Sequence, residues 1–306
     1  MKPTSVVRAG TVGLTLVTGC LGRADLADRT VRLVGSDTEL SATQMLAEAY
    51  RQRHPDVVVS VAGGGSGAGI AALLDGRTDI ANSSREIRSE ERKLAERRGL
   101  EVEEIVLGID ALAVIVNENN PVNVLDMDAL GRLYRGTTRS WSDLGGKRQT
   151  VTLYGRQSNS GTYVFFRESV VQDDYALGMR NLNGNAQIVE AVRADPGGIG
   201  YVGVGYVLSE SGNVSSGVTV VGIETVDGGV VHPGDAAAVE RGAYPISRPL
   251  FQYVTVPMNP QVSAFLWFEL SDDGQAIVAK EGFYRASRAS RDRDRALLGR
   301  VKGEPK

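Results

Sequence analysis

The chain has 306 residues, 42% of them hydrophobic and 23% charged, with a net charge of −3. That length supports two lobes with cores of their own. Slight acidity, and no basic stripe interleaved with aromatics, argue against a nucleic-acid partner.

Lys2 and Arg8 precede an apolar stretch, "AGTVGLTLVTG", that ends at Cys20. Basic, then apolar, then small residues is the layout of a secretory signal, and the stretch is too short for a comfortable membrane span. Cys20 is the only cysteine, so it forms no internal disulfide. "VTGC" resembles the bacterial lipobox, whose cysteine becomes the acylated first residue of the mature protein. The expectation is a signal segment over 1–20 and an extracytoplasmic protein, periplasmic or at the cell surface. It would touch the membrane only through a lipid on Cys20.

Next, "TVRLVGSDTELSATQMLAEAYRQRHPD" reads as strand, polar turn and a helix with Leu40, Met45, Leu46 and Tyr50 on its apolar positions. Residues 57–74 repeat the scheme, with five glycines packed into positions 63–69. A glycine-rich turn between strand and helix is expected to leave amides free at the helix start, which favours an anion. "DIANSSREIRSEERKLAERRG" gives a third unit, with a short strand over Asp79 to Ala81 and a charged helix. Three strand–turn–helix units in a row argue for an α/β architecture with a largely parallel sheet. Ligands of such sheets bind beyond the carboxyl ends of the strands, where these turns lie.

"VLGIDALAVIVNENNPV" is long and β-rich enough to carry the chain into a second lobe, where a second set of units follows. "YPISRPLFQYVTV" would carry it back, and "QVSAFLWFELSDDGQAIVAKEG" reads as one closing helix. The arginine-rich stretch "RASRASRDRDRALLGRVK" is diluted by Asp292 and Asp294 and reads as a solvated tail. Two crossings between lobes imply a hinge and a cleft.

Four polar turns compete for that cleft: "GSDT" with Ser36 and Thr38, the glycine turn with Ser66, "NSSRE" with Ser83, Ser84 and Arg85, and "GRQSNSGTY" with Arg156, Ser158, Ser160 and Thr162. Each hydroxyl taken singly serves as well for a helix cap. Together, small donors, backbone amides and an arginine suit a desolvated oxyanion, because a guanidinium grips two oxygens through a planar fork. Catalysis fits poorly. The glycine turn lacks the Lys-Ser/Thr ending of a nucleotide loop. Neither His54 nor His232, the only histidines, has an evident partner for nucleophilic work. One cysteine and two scattered histidines give no metal spacing, so neither metal nor cofactor is expected.

These residues resemble the phosphate-binding lipoproteins that serve phosphate ABC transporters, the PstS family. "GSDT", "GGGSGAGI", "DIANSSRE", "LGIDALAVIVN", "WSDLGG", "SGT", "GGIGYVG" and "YPISRPL" follow one another in the family's order. The resemblance implies a type II periplasmic-binding fold of two mixed-sheet α/β lobes joined by two hinge strands. Lobe I would comprise 28–112 plus 252–298 and lobe II 113–251, with a tail over 299–306. It also implies a non-enzymatic monomer that captures inorganic phosphate and delivers it to ABC-transporter permease subunits. The alternatives are another tetrahedral oxyanion (sulfate, tungstate, molybdate) or a stand-alone phosphate sensor. By the same resemblance the anion would meet Ser36, Thr38, the Glu39 amide, Ser66, Ser84, Arg156, Ser160, Gly161 and Thr162. One departure stands out. Well-studied members of the family place an aspartate in the third turn, to accept the proton of phosphate, and another two residues after the arginine, to steady it, although many relatives with the "SSRE" wording share the serine. Here those positions hold Ser84 and Ser158, which implies weaker exclusion of sulfate or arsenate.

Overall fold

A computed structural model describes residues 29–209 and 212–301. Cys20, the signal segment and the last five residues lie outside that range.

The chain begins with β1 (Thr30–Gly35), α1 (Leu40–Arg53), β2 (Val58–Ala62), α2 (Ser66–Leu74), β3 (Ile80–Ser83) and α3 (Ser89–Arg97). Strand β1 pairs in parallel with both β2 and β3. Position decides composition here. Every residue of the inner strand β3 is buried, whereas the edge strand β2 alternates exposed and half-buried residues. Helix α1 buries Ala42, Leu46 and Tyr50, spaced one turn apart, against one face of the sheet. On the other face, Ile70, Leu73 and Leu74 of α2 pack with Phe251 and Tyr253.

The long strand β4 (Glu101–Asn117) then crosses the molecule. The second lobe follows with β5 (Val124–Asp126), α4 (Met127–Arg135), β6 (Thr152–Arg156), α5 (Gly161–Phe166), β7 (Arg180–Leu182), α6 (Asn185–Ala194), β8 (Gly198–Gly203), β9 (Val218–Val220), β10 (Gly222–Glu224), β11 (Val230–Val231) and α7 (Ala236–Glu240). Strand β6 is parallel to both β7 and β8, while β5, β10 and β11 form a small separate sheet.

The return strand β12 (Ser247–Val256) runs antiparallel to β4, and the full order is β2-β1-β3-β12-β4-β8-β6-β7. Strand β4 pairs with β12 up to Ala111 and with β8 from Leu112, so its partner changes within one residue step. A bulge interrupts β12 between Leu250 and Phe251, the point from which it also pairs with β3. Two parallel half-sheets are thus joined through a pair of antiparallel strands.

The C-terminal part differs from the sequence reading in two places. The expected single closing helix is two, α8 (Pro260–Glu269) and α9 (Asp272–Lys280). Between them the Ser271 hydroxyl donates to the Phe268 carbonyl at 2.6 Å and accepts from the Gly274 amide at 3.1 Å, capping a new start. After the short strand β13 (Tyr284–Arg285), the expected solvated tail is a helix, α10 (Arg288–Val301). Its Asp294 is fully buried and accepts the Val106 amide of β4 at 2.8 Å, while Leu298 inserts into the main core. Charge content misled here because two of the arginines help to dock the helix: Arg291 donates to Asp272 at 2.7 Å and Arg295 to the Leu270 carbonyl at 2.6 Å.

Beneath α1 lies a buried polar seam. Gln252 of β12 donates to the Asn82 side chain at 3.3 Å and to Glu269 of α8 at 3.2 Å. Burial pushes the Glu269 carboxyl up to about 8 from an ordinary 4.5. The unfolded chain gives up this proton first, so unfolding releases a proton and stability falls as pH rises from about 4.5 towards 8. Glu269→Gln is expected to flatten that decline in urea denaturation midpoints measured from pH 5 to pH 8.5.

Candidate functional site

All four polar turns follow the carboxyl ends of parallel strands, β1, β2 and β3 in the first lobe and β6 in the second. Turns 36–39, 63–65 and 157–160 lead directly into α1, α2 and α5, so each faces the cleft with a positive helix end behind it.

The two lobes are closed upon one another at these turns. Ser36, Thr38, Glu39, Ser66, Ser84, Arg156, Ser160 and Thr162 are each at most 3% exposed. Within the first lobe, the hydroxyls of Ser36 and Ser84 hydrogen-bond each other, and Ser66 Oγ accepts the Ser84 amide at 3.0 Å. Across the cleft, Thr38 Oγ1 and Thr162 Oγ1 lie 2.9 Å apart. Gly161 sits where a Cβ would strike Ser66 Oγ and come within 3.0 Å of the Ser84 carbonyl carbon. Ser36, Ser66 and Ser84 are thus brought together with Gly161, and Thr38 with Thr162, where the two lobes meet. Ser160 also does the bland job its position allows, capping α5 by accepting the amides of Thr162 at 3.2 Å and Tyr163 at 3.4 Å.

The glycine turn differs from expectation. Three of its amides are spent within the protein: Gly64 donates to Asp37 Oδ1 at 2.9 Å, Gly65 to the Gly35 carbonyl at 2.8 Å, and Gly67 to the Asn159 carbonyl at 3.0 Å. Asn159 answers by donating its side-chain amide to the Gly64 carbonyl at 2.9 Å. Gly65 adopts φ +88°, and a Cβ there would lie 2.9 Å from the Asn159 carbonyl oxygen. The glycines let the backbone of one lobe meet that of the other.

Arg156 ends β6, where its amide donates to the Tyr201 hydroxyl at 3.3 Å. Its Nη2 is held by Asp37 Oδ2 from the opposite lobe and by the Asn183 carbonyl at 2.9 Å. Asp37 thus takes the steadying role that an aspartate at position 158 would have filled; Ser158 itself is exposed. The same Asp37 accepts the Tyr206 hydroxyl on its backbone carbonyl at 2.6 Å, so one residue is bound three times from elements beyond its own turn. Nε and Nη1 of Arg156 are buried with no partner. Two charge-assisted donors without an acceptor are costly in a desolvated site and mark where an anion's oxygens would be taken up.

Two further arginines resolve differently. Arg85 spends Nη1 and Nη2 on Glu91 at 2.8 and 2.7 Å, bracing the start of α3. Arg248, absent from the sequence-derived set, belongs at the centre. It donates to Asp110 from Nε at 3.2 Å and Nη2 at 2.9 Å, to the Ser84 carbonyl at 2.9 Å, and to Thr162 Oγ1 at 2.8 Å. Burial lifts the Asp110 carboxyl, and the guanidinium beside it pulls it back towards ionisation. A signal was available: "LGIDALAV" and "YPISRPL" each place one charge in an otherwise apolar strand, and buried charges require each other.

Among the described residues no group of three or more His, Cys, Asp or Glu could hold a metal ion. The donor set is suited to an anion instead. The model of the PBP superfamily domain matches residues 23–273. The phosphate-binding protein PstS of Pseudomonas aeruginosa is 30% identical over 268 residues, covering 82% of this chain and 81% of that protein. PstS of Staphylococcus aureus is 30% identical over 300 residues, 94% of this chain and 89% of its own. The chain belongs to the PstS family. Solved structures agree. A Clostridium perfringens protein crystallised with bound phosphate superposes with a TM-score of 0.75 at 26% identity, over 84% of this chain and all of that one. An ABC-type phosphate transport receptor from Vibrio cholerae gives 0.67 at 26%, again over 84% of this chain and all of its own. The fold is that of the two-lobed periplasmic binding proteins, and the PstS-family chain is a binding protein rather than an enzyme.

Gly161 offers a clean test of closure. Its backbone is helical, so alanine should favour α5 by roughly 1 kcal/mol while its methyl wedges the lobes apart at Ser66 and Ser84. Gly161→Ala is expected to keep or raise the melting temperature, enlarge the radius of gyration in X-ray scattering, and weaken anion binding at least about tenfold, the worth of one or two hydrogen bonds.

Proposed function

We propose that the protein captures inorganic phosphate between its lobes and delivers it to an ABC transporter, tethered outside the cytoplasmic membrane by a lipid on Cys20. The observation that carries this reading is Arg156, fully enclosed with two unpartnered donors among hydroxyls from four turns. The names of the Pseudomonas aeruginosa and Staphylococcus aureus relatives, both phosphate-binding proteins, support the choice of anion.

In this reading the lobes are 28–112 with 252–298 and 113–251, hinged where β4 exchanges β12 for β8. Phosphate would take the Arg156 fork on two oxygens. Ser36, Thr38, Ser66, Ser84, Ser160 and Thr162 supply neutral hydrogen bonds, with the amides of Glu39 and Gly161 behind them. The buried charges near the site nearly cancel, since Asp37 faces Arg156 and Asp110 faces Arg248. Dipoles and hydroxyls rather than excess positive charge then carry the anion, which makes binding less sensitive to salt than a surface cluster of lysines would be. Affinity in the micromolar range corresponds to roughly −8 kcal/mol, within reach of several charge-assisted bonds after the cost of ordering.

The experiment is calorimetric titration of the full chain, stripped of ligand, with phosphate. Tight binding by wild type is expected, with Arg156→Lys weaker by at least about a hundredfold because lysine cannot present two parallel donors and still reach Asp37. Binding of sulfate or molybdate with phosphate silent would keep the cleft and replace the substrate.

A further inference from the structure

Glu39 opens α1, and its side chain has no role in the site as described so far. It is fully buried, and neither carboxyl oxygen has a hydrogen-bond partner. Its surroundings are specific. The Ser36 hydroxyl, one turn before it in the chain, draws its proton affinity down, although neither carboxyl oxygen makes a formed hydrogen bond. The charged groups acting on it from neighbouring elements are Arg248 of β12, Asp110 of β4 and Glu269 of α8. Of these, Arg248 and Asp110 are consumed by each other, and Glu269 is engaged by Gln252. Ser36 is in turn hydrogen-bonded to Ser84, so a line of groups from the carboxyl through two hydroxyls towards the cleft is available to pass on a change of proton.

We propose that Glu39, acting through Ser36, sets which way the Ser84 hydroxyl faces, and so how strictly the site demands a tetrahedral anion that carries a proton. The proposal rests on the reading that this cleft takes phosphate. Only one proton can lie between the Ser36 and Ser84 oxygens. When Glu39 is ionised it accepts from Ser36; Ser36 then accepts from Ser84, and Ser84 presents a lone pair to the cleft. A lone pair welcomes the P–OH of hydrogen phosphate and repels sulfate, which has no proton to give. When Glu39 carries a proton it can donate to Ser36; the line reverses, Ser84 donates into the cleft, and a fully ionised anion is tolerated. Burial holds the Glu39 carboxyl well above the ordinary 4.5, so this reversal falls above the usual carboxylate range. Glu39 is a positioning residue in this scheme: its side chain reaches the anion only through the two serines.

Sulfate stays a dianion throughout the neutral range, so the pH dependence of its affinity reports the protein alone. Sulfate and phosphate are titrated separately into the full chain at pH 6 and pH 9. Wild type is expected to lose sulfate affinity at least about tenfold from pH 6 to pH 9, the worth of one hydrogen bond turned into a lone-pair clash. Glu39→Gln, whose amide nitrogen donates at every pH, should bind sulfate equally at both. Ser36→Ala keeps the charge of Glu39 but cuts the line, and it too should abolish the pH dependence. Glu269→Gln should leave the wild-type profile in place.

A flat wild-type profile, or a fall in Glu39→Gln that matches wild type, overturns the proposal. So does a fall that survives in Ser36→Ala, which would reduce the effect to charge repulsion. A profile flattened by Glu269→Gln would assign the titration to Glu269 and likewise overturn it. If Glu39→Gln does not fold, the Ser36→Ala arm decides alone. Failure of wild type to bind phosphate at either pH would instead overturn the reading of the site itself.

Discussion

The ion pair of Asp110 and Arg248 is the constraint on which the rest of the structure turns. The two residues are direct partners in the register of β4 and β12, the strands that carry the chain between lobes. Neither charge would survive burial alone, so the register of the crossing strands and the pairing of the charges fix each other. What Arg248 has left over it gives to Ser84 of the first lobe and Thr162 of the second. Asp110 likewise uses its second oxygen to accept the amide of Val204, at 3.2 Å. The hinge and the binding turns are therefore held by one pair of side chains. Arg156 makes the useful contrast. Both arginines are enclosed, but one has its donors matched by protein atoms while the other keeps two unmatched. The matched one is architecture, and the unmatched one is the residue proposed to take the anion.

Most of the α/β frame could be read from the sequence because strand, turn and helix differ in periodicity, and the turns are rich in residues with few other uses. The candidate turns were legible for a related reason: hydroxyls clustered at helix starts have a local signature. Three features were not. The glycine turn suggested free amides, yet three of them are engaged by Asp37, Gly35 and Asn159, and only the last of these partners lies in the other lobe. A pairing across lobes leaves no mark in local sequence. Asp37 looked like an ordinary turn residue for the same reason, although it fixes Arg156 across the cleft. The α10 helix looked solvated because composition averages over its faces, whereas docking needs only one face, the one carrying Asp294 and Leu298.

The substitution of serines for acids in the third and fourth turns has two consequences that sequence alone treated as one. At position 158 the loss is structural, and Asp37 compensates from the opposite lobe. That moves the arginine's support from its own turn to the other side of the cleft, so the guanidinium is fully oriented only when the lobes meet. At position 84 the change is chemical, since a serine can either donate or accept. Which of these it does is decided by what stands behind it, and behind it stand Ser36 and the enclosed carboxyl of Glu39.

Closure itself rests on modest contacts. Apart from the Asp37–Arg156 pair and the bonds that Asp110 and Arg248 make to both lobes, the lobes meet through neutral hydrogen bonds, among them Gly67 to Asn159, Asn159 to Gly64, Tyr206 to Asp37, and Thr38 with Thr162. Each is worth about 1 kcal/mol net, and against this stands the cost of enclosing Arg156 with two donors unmet. The empty closed state is therefore penalised by its own arginine, and an anion that supplies the missing acceptors removes the penalty. A ligand shifts such an equilibrium only by its preference for one state, and here that preference is built into the guanidinium. A larger apolar seam would have held the lobes shut regardless of occupancy. Polar contacts of this size leave the decision to the anion, as a protein that must both seize a ligand and give it up requires.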